Sequence, residues 1–125
     1  MKTCLIVDDS KIVRKVVRRI VEGLGFAILE AENGKEAVDQ AKANHVDVII
    51  LDWNMPVMDG MECMLQIRAD ATIDQPKIIF CTTENEFTKI QQAIMNGADE
   101  YVMKPFDEAI IAGKMVQLGL IDEAQ

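Results

Sequence analysis

The chain has 125 residues, half of them hydrophobic, 27% charged and 5% aromatic, which suits a single domain whose core stands without disulfides or structural metal. Its 21 acidic residues outnumber 13 Lys and Arg for a formal charge of −8. That charge repels phosphate backbones and anionic headgroups, so neither nucleic acid nor a membrane surface is an expected partner.

The opening MKTCLIVDDS has an apolar run too short for a secretory signal or a membrane span, and the chain reads as cytoplasmic. Its first apolar stretch, Cys4 to Val7, reads as a strand. A helix follows, with Ser10 or Asp9 as cap, Ile12, Val13, Val16, Val17, Ile20, Val21 and Leu24 at a 3.6-residue period, and Gly23 or Gly25 as its stop. Lys11, Arg14, Lys15, Arg18 and Arg19 form a basic stripe on its other side, either a solvated face or a docking surface.

Ala27 to Glu30 reads as the second strand, and Asn33 caps a helix running through Ala43. Val46 to Leu51 is the third strand, with Gly60 leading into a helix through Arg68. Lys77 to Cys81 is the fourth strand, with a helix over Glu84 to Asn96 stopped by Gly97. Glu100 to Met103 is the fifth, with Asp107 capping a last helix near Val116 that contains Gly113. CLIV, VDVIIL and KIIFC are nearly continuous in apolar residues, as central parallel strands covered on both faces should be. Strict alternation of strand and helix predicts an α/β doubly wound parallel sheet with right-handed crossovers. It also predicts one domain over residues 1–125 with no attached output domain. Cys4, Cys63 and Cys81, without a CxxC pair, read as buried reduced thiols.

Ligand sites in such sheets form beyond the carboxyl ends of the strands. Those ends carry Asp8 and Asp9, Asp52, Thr82 and Thr83, and Lys104 before Pro105. Each alone has an ordinary reading as a cap or a surface residue. Together they put three carboxylates, a hydroxyl and an amine on one rim. Two carboxylates about 4 Å apart repel by about 4 kcal/mol at an effective dielectric near 20, so the rim wants a cation. Mg²⁺ suits it, because that ion takes one or two carboxylates and leaves positions for water and phosphate oxygens. Pro56 and Val57 stand where an EF-hand needs an oxygen ligand and a glycine. Neither GxxxxGK[ST] nor GxGxxG occurs, so nothing grips a nucleotide. The remaining idea is a carboxylate that itself accepts a phosphoryl group, with Asp52 the natural candidate.

VDDS, DWNMPVMDG, CTT and YVMKPF, one after each of four strands, give the chain its resemblance to response-regulator receiver domains of the stand-alone, CheY-like chemotaxis type, over about Lys2 to Leu118. The resemblance implies a flavodoxin-like sheet in the order 2-1-3-4-5, an established property of that family. It implies that Asp52 takes a phosphoryl group from a histidine kinase or histidine phosphotransfer protein. Mg²⁺ would be held by Asp9, Asp52 and the Asn54 backbone carbonyl, with Asp8 acting through the metal's waters. Thr82 and Lys104 would contact the phosphoryl group, the Lys104–Pro105 peptide would be cis, and Tyr101 would be the switch aromatic. Asn54 and Glu84 would modulate dephosphorylation. A downstream protein would bind at the face of the fourth helix, fifth strand and fifth helix, and the chain would act as a monomer. On this reading the protein is a switch that catalyses only its own phosphorylation and dephosphorylation. The alternative is a phosphoryl shuttle or sink. A haloacid-type hydrolase is disfavoured, because Asn54 stands where that chemistry needs a second Asp.

Overall fold

The computed structural model describes residues 1–83 and 87–122. Five strands, β1 (Thr3–Val7), β2 (Ala27–Ala31), β3 (Val48–Asp52), β4 (Lys77–Thr82) and β5 (Glu100–Met103), alternate with five helices. The helices are α1 (Lys11–Gly23), α2 (Gly34–Ala43), α3 (Gly60–Ala69), α4 (Phe87–Met95) and α5 (Glu108–Gln117). The sheet is parallel throughout in the order β2-β1-β3-β4-β5, so the expected flavodoxin-like topology is observed.

Period-2 alternation divides the strands between two cores. Leu5, Val7, Ile49, Leu51, Ile78 and Phe80 pack under α2 and α3, whose contribution includes Ala37, Val38, Met64 and Ile67. Cys4, Ile6, Val48, Ile50, Ile79 and Cys81 pack on the other face against Val17 and Val21 of α1 and Ile111 and Met115 of α5. The three cysteines are free and buried, and burial pushes the Cys63 thiol up to about 12. Among the described residues no helix is long and apolar enough to cross a membrane.

Polar caps set the helix starts. Ser10 accepts from the Val13 amide at 3.2 Å, Asn33 from Glu36 at 2.9 Å, and Asp107 from Ile110 at 3.0 Å. Each such bond stabilises its helix by about 1 kcal/mol. The cap of α3 is Asp59, which accepts from the Glu62 amide at 2.9 Å; the expectation had named only Gly60. Gly113 lies mid-helix in α5, and a Cβ there meets nothing within 4 Å. Gly113→Ala is therefore expected to stabilise the protein by about 0.5–1 kcal/mol, read as a higher midpoint in thermal or urea unfolding.

Three expectations are corrected. The third strand begins at Val48 rather than Val46 and runs through Asp52, because Asp52 pairs in register with Cys81. Ile12 and Val16 of α1 are 77% and 54% exposed despite their helical period. This i, i+4 pair sits about 100° round the helix from Val13 and Val17, over a groove bordered by Pro105 and Phe106 instead of under a covering element. The basic stripe is not one free face: Arg14 and Arg18 both pair with Glu30 of β2. The expected fourth helix starts at Phe87 among the described residues, and Glu84 lies outside them.

Candidate functional site

The chain's order of connection reverses at β1, which lies between β2 and β3. Such a switch point opens a crevice at the carboxyl ends of the strands. Asp8 and Asp9 follow β1, Asp52 ends β3, Thr82 ends β4 and Lys104 follows β5. Sheet pairing sets their depth. Asp52 lies opposite Cys81, and Thr82 opposite Met103, so both remain inside the ladder. Asp8, Asp52 and Thr82 are the buried polar residues among those described, while Asp9 and Asn54 are exposed and Tyr101 is half-buried.

Carboxylate oxygens of Asp8, Asp9 and Asp52 lie within 4.8 Å of one another. At that separation each like-charge pair repels by about 3.5 kcal/mol at an effective dielectric of 20. Lys104 relieves part of this: its Nζ donates to Asp8 Oδ2 at 2.6 Å and to Asp52 Oδ1 at 3.2 Å. Asp8 Oδ1 accepts from the Ser10 amide at 2.9 Å. Burial, and next the Asp8 charge, push the Asp52 carboxyl above its ordinary pKa of 3.8, against the opposing pull of Lys104. Burial works against the Lys104 ammonium, but the hydrogen bond to Asp8 and the charge of Asp52 outweigh it and raise the lysine's pKa. The Lys104–Pro105 peptide is cis, as the resemblance implied.

Close packing holds the loop after Asp52. A Cβ on Gly60 would run into the Asp52 carbonyl and lie 3.0 Å from the Phe80 ring, so α3 starts directly against the strand end only because residue 60 is glycine. The Gly60 amide donates to the Trp53 carbonyl at 2.9 Å. Trp53 packs on Phe80 at 5.0 Å between centroids, with Lys89 of α4 5.3 Å from its ring. Between these anchors Val57 has φ of 69° and forms a γ-turn, closed by the Met58 amide on the Pro56 carbonyl at 2.7 Å. Positive φ is uncommon for a β-branched residue.

The donor set is entirely oxygen, and three carboxylates with one ammonium leave two negative charges. That composition fits a hard divalent cation better than a soft one. Asp9 keeps one side of the cluster open to water, as a metal that retains several waters requires. The sequence expectation thus named the residues that the fold gathers: Asp8, Asp9, Asp52, Thr82 and Lys104. It missed the ion pair of Arg14 and Glu30 just behind them. Arg14 is one of five basic residues on α1, and Glu30 lies 16 residues away on β2; no spacing links them.

The family described as response regulator receiver domain matches residues 4–115. The chain is 36% identical over 121 residues to the chemotaxis protein CheY1 of Helicobacter pylori, covering 94% of this chain and 98% of that one. Among solved structures, the chemotaxis response regulator CheY4 of Vibrio cholerae superposes with a TM-score of 0.87 at 32% identity, covering 94% and 98% of the two chains. The receiver domain of the sensor histidine kinase PA1611 from Pseudomonas aeruginosa superposes with a TM-score of 0.84 at 25% identity, covering 93% and 95%; that structure has a magnesium ion coordinated in its active site cleft. With the match running over nearly the whole sheet and every strand end that lines the acidic rim, the chain belongs to the response regulator receiver domain family, the modules through which two-component systems carry out phosphorylation-dependent signalling.

Proposed function

We propose that Asp52 is the phosphoacceptor of a chemotaxis-type switch, that Asp9 and Asp52, with the Asn54 backbone carbonyl, hold Mg²⁺ beside it, and that Asp8 acts through the ion's waters. The observation that carries this reading is the convergence on Asp52: its buried carboxylate stands within 4.8 Å of two others and bonds to Lys104. Such a group is positioned at a strand end, shielded from water on its protein side and open on the other.

In the reaction, an Asp52 oxygen forms a bond to phosphorus as the phosphorus–nitrogen bond of a donor phosphohistidine breaks, and the imidazole leaves carrying the bonding pair and takes up a proton. Bound Mg²⁺ supplies neutralisation of charge on the transferring group. Lys104 already lies against Asp52, and its ammonium needs only to exchange a carboxylate for a phosphoryl oxygen. The Thr82 hydroxyl, at the buried end of β4, would bond to another. The product carries roughly −1.5 to −2 of charge where the carboxylate carried −1, and it brings three acceptor oxygens beside β4 and β5. Drawing Thr82 toward them would bias Tyr101, whose ring lies 5.4 Å from Lys114 in turn paired to Glu100 at 2.9 Å. Exposed Ile94 and Met95 on α4, Met103 on β5 and Ile110 on α5 offer apolar surface to a downstream protein on that side. Near the donor's approach, Ile12, Val16, Pro105 and Phe106 border an apolar groove of about 230 Å³. Exposed Lys11, Lys15 and Arg19 stand on the same helix, which suits an acidic amphipathic helix of a kinase or phosphotransfer domain.

Similarity to chemotaxis proteins favours the switch over the relay carrier. A labelled phosphohistidine donor tests both. Label should move to this chain only with Mg²⁺ present, chelator should stop it, and the labelled form should bind its target more tightly. Onward transfer of most of the label to a histidine phosphotransfer protein would instead establish the shuttle, and no uptake from phosphohistidine or acetyl phosphate would overturn the reading.

A further inference from the structure

Among the described residues the Asp9 carboxylate accepts no hydrogen bond, unlike that of Asp8. Its position is therefore set by its backbone, and the backbone is held from behind. The Asp8 amide donates to the Ala31 carbonyl at 3.2 Å. The Asp8 carbonyl, which opens the peptide joining Asp8 to Asp9, accepts from Arg14 Nη1 at 2.7 Å. The same guanidinium donates through Nε to Glu30 Oε1 at 3.1 Å, and its side chain is only 12% exposed. Glu30 is fixed in turn by Arg18 at 2.6 Å from its other oxygen. Arg14 is a planar fork with one prong on the acidic loop and another on β2, a geometry that a lysine cannot reproduce.

We propose that Arg14, oriented and charge-balanced by Glu30, is the positioning residue that orders the Asp8–Asp9 peptide for cation binding. The inference rests on the proposed metal site and adds a residue to it that touches neither metal nor phosphoryl group. Glu30 has two tasks. It aims the guanidinium, and it offsets a positive charge that would otherwise repel a divalent cation. Burial opposes ionisation of Glu30, but its bonds to Arg18 and Arg14 outweigh that and hold its carboxyl below the ordinary 4.5, so Glu30 meets the guanidinium as a carboxylate at neutral pH.

The sign of the effect separates positioning from simple charge. As a mere neighbouring cation, Arg14 would weaken Mg²⁺ binding, and its removal would tighten it. As a positioning residue, its removal should weaken binding about tenfold, at the lower end of what groups orienting metal ligands contribute. The test is a calorimetric Mg²⁺ titration, without phosphodonor, of the unaltered chain and of Arg14→Met, Arg14→Lys and Glu30→Gln. Thermal midpoints in chelator are measured alongside. Expected are weaker binding in Arg14→Met, partial recovery in Arg14→Lys, and a smaller loss in Glu30→Gln that grows as salt is lowered. Should Arg14→Met not fold, Arg14→Lys carries the test, because it keeps the positive charge and loses only the fork that holds Glu30 and the Asp8 carbonyl together, so weaker binding there cannot come from charge. Unchanged or tighter binding in the folded variants, with the unaltered chain binding normally, would overturn the role of Arg14. Failure of the unaltered chain to bind Mg²⁺ would overturn the site beneath it.

Discussion

Asp52→Asn is expected to take no label from phosphohistidine or acetyl phosphate, and at neutral pH in chelator it should melt at a higher temperature than the unaltered chain. The first result follows from the amide's loss of nucleophilicity. Persistence of label approaching one phosphoryl group per chain would assign the acceptor elsewhere. The second follows from linkage. The folded Asp52 carboxyl has its pKa raised above 3.8, by burial first and then by Asp8. A group that binds its proton more tightly when folded destabilises the native state increasingly as pH climbs through that raised value. Asparagine removes this penalty. The gain should therefore be full at neutral pH and vanish below about pH 3.8, where the carboxyl is protonated in both states. A midpoint that does not rise at neutral pH would show that the Lys104 bond already outweighs the crowding.

Lys104→Met should act in the opposite direction. It leaves Asp8 and Asp52, whose side chains are 6% and 8% exposed, facing each other without a counter-charge. Removing one member of a buried ionic group typically destabilises by about 3 kcal/mol or more, and we expect a deficit of about that size at neutral pH. Its pH dependence has two limits. As pH falls toward 3.8 the Asp52 carboxylate takes up its proton and the deficit shrinks. Above pH 10.5 it shrinks again, because the raised pKa of Lys104 lets the unaltered protein keep its bridge only until that ammonium deprotonates. Denaturant melts across pH measure both arms, and millimolar Mg²⁺ should restore much of the lost stability. A flat difference across pH would mean that the lysine contributes by packing its stem instead of by charge.

Most of this site was legible because strand ends are legible. Continuous apolar runs in CLIV and KIIFC mark where buried strands stop, and the first polar residues beyond them are the rim. The caps Asn33 and Asp107 were equally readable, since each is a residue of the preferred capping type just ahead of a helical period. Asp59 had the same signal, with Glu62 three residues on, but Gly60 beside it attracted the assignment. What sequence spacing does not carry is which neighbour a helix face meets. Ile12 and Val16 have the period of core residues yet border an open groove. Arg14 and Arg18 look like solvated charge yet grip Glu30 from two sides. Both depend on where β2 and the residues after β5 lie relative to α1, which is tertiary information.

The embedding of β3 has one last consequence. All five of its residues are buried, its neighbours hold it on both edges, and α3 is wedged against its final carbonyl at Gly60. By contrast β5 borders a single strand and buries only Val102. If Asp52 is the acceptor proposed above, the message would not travel as a displacement of the place where it is written: the centre would act as an anvil, and what gives way when charge arrives would lie at the sheet's margin.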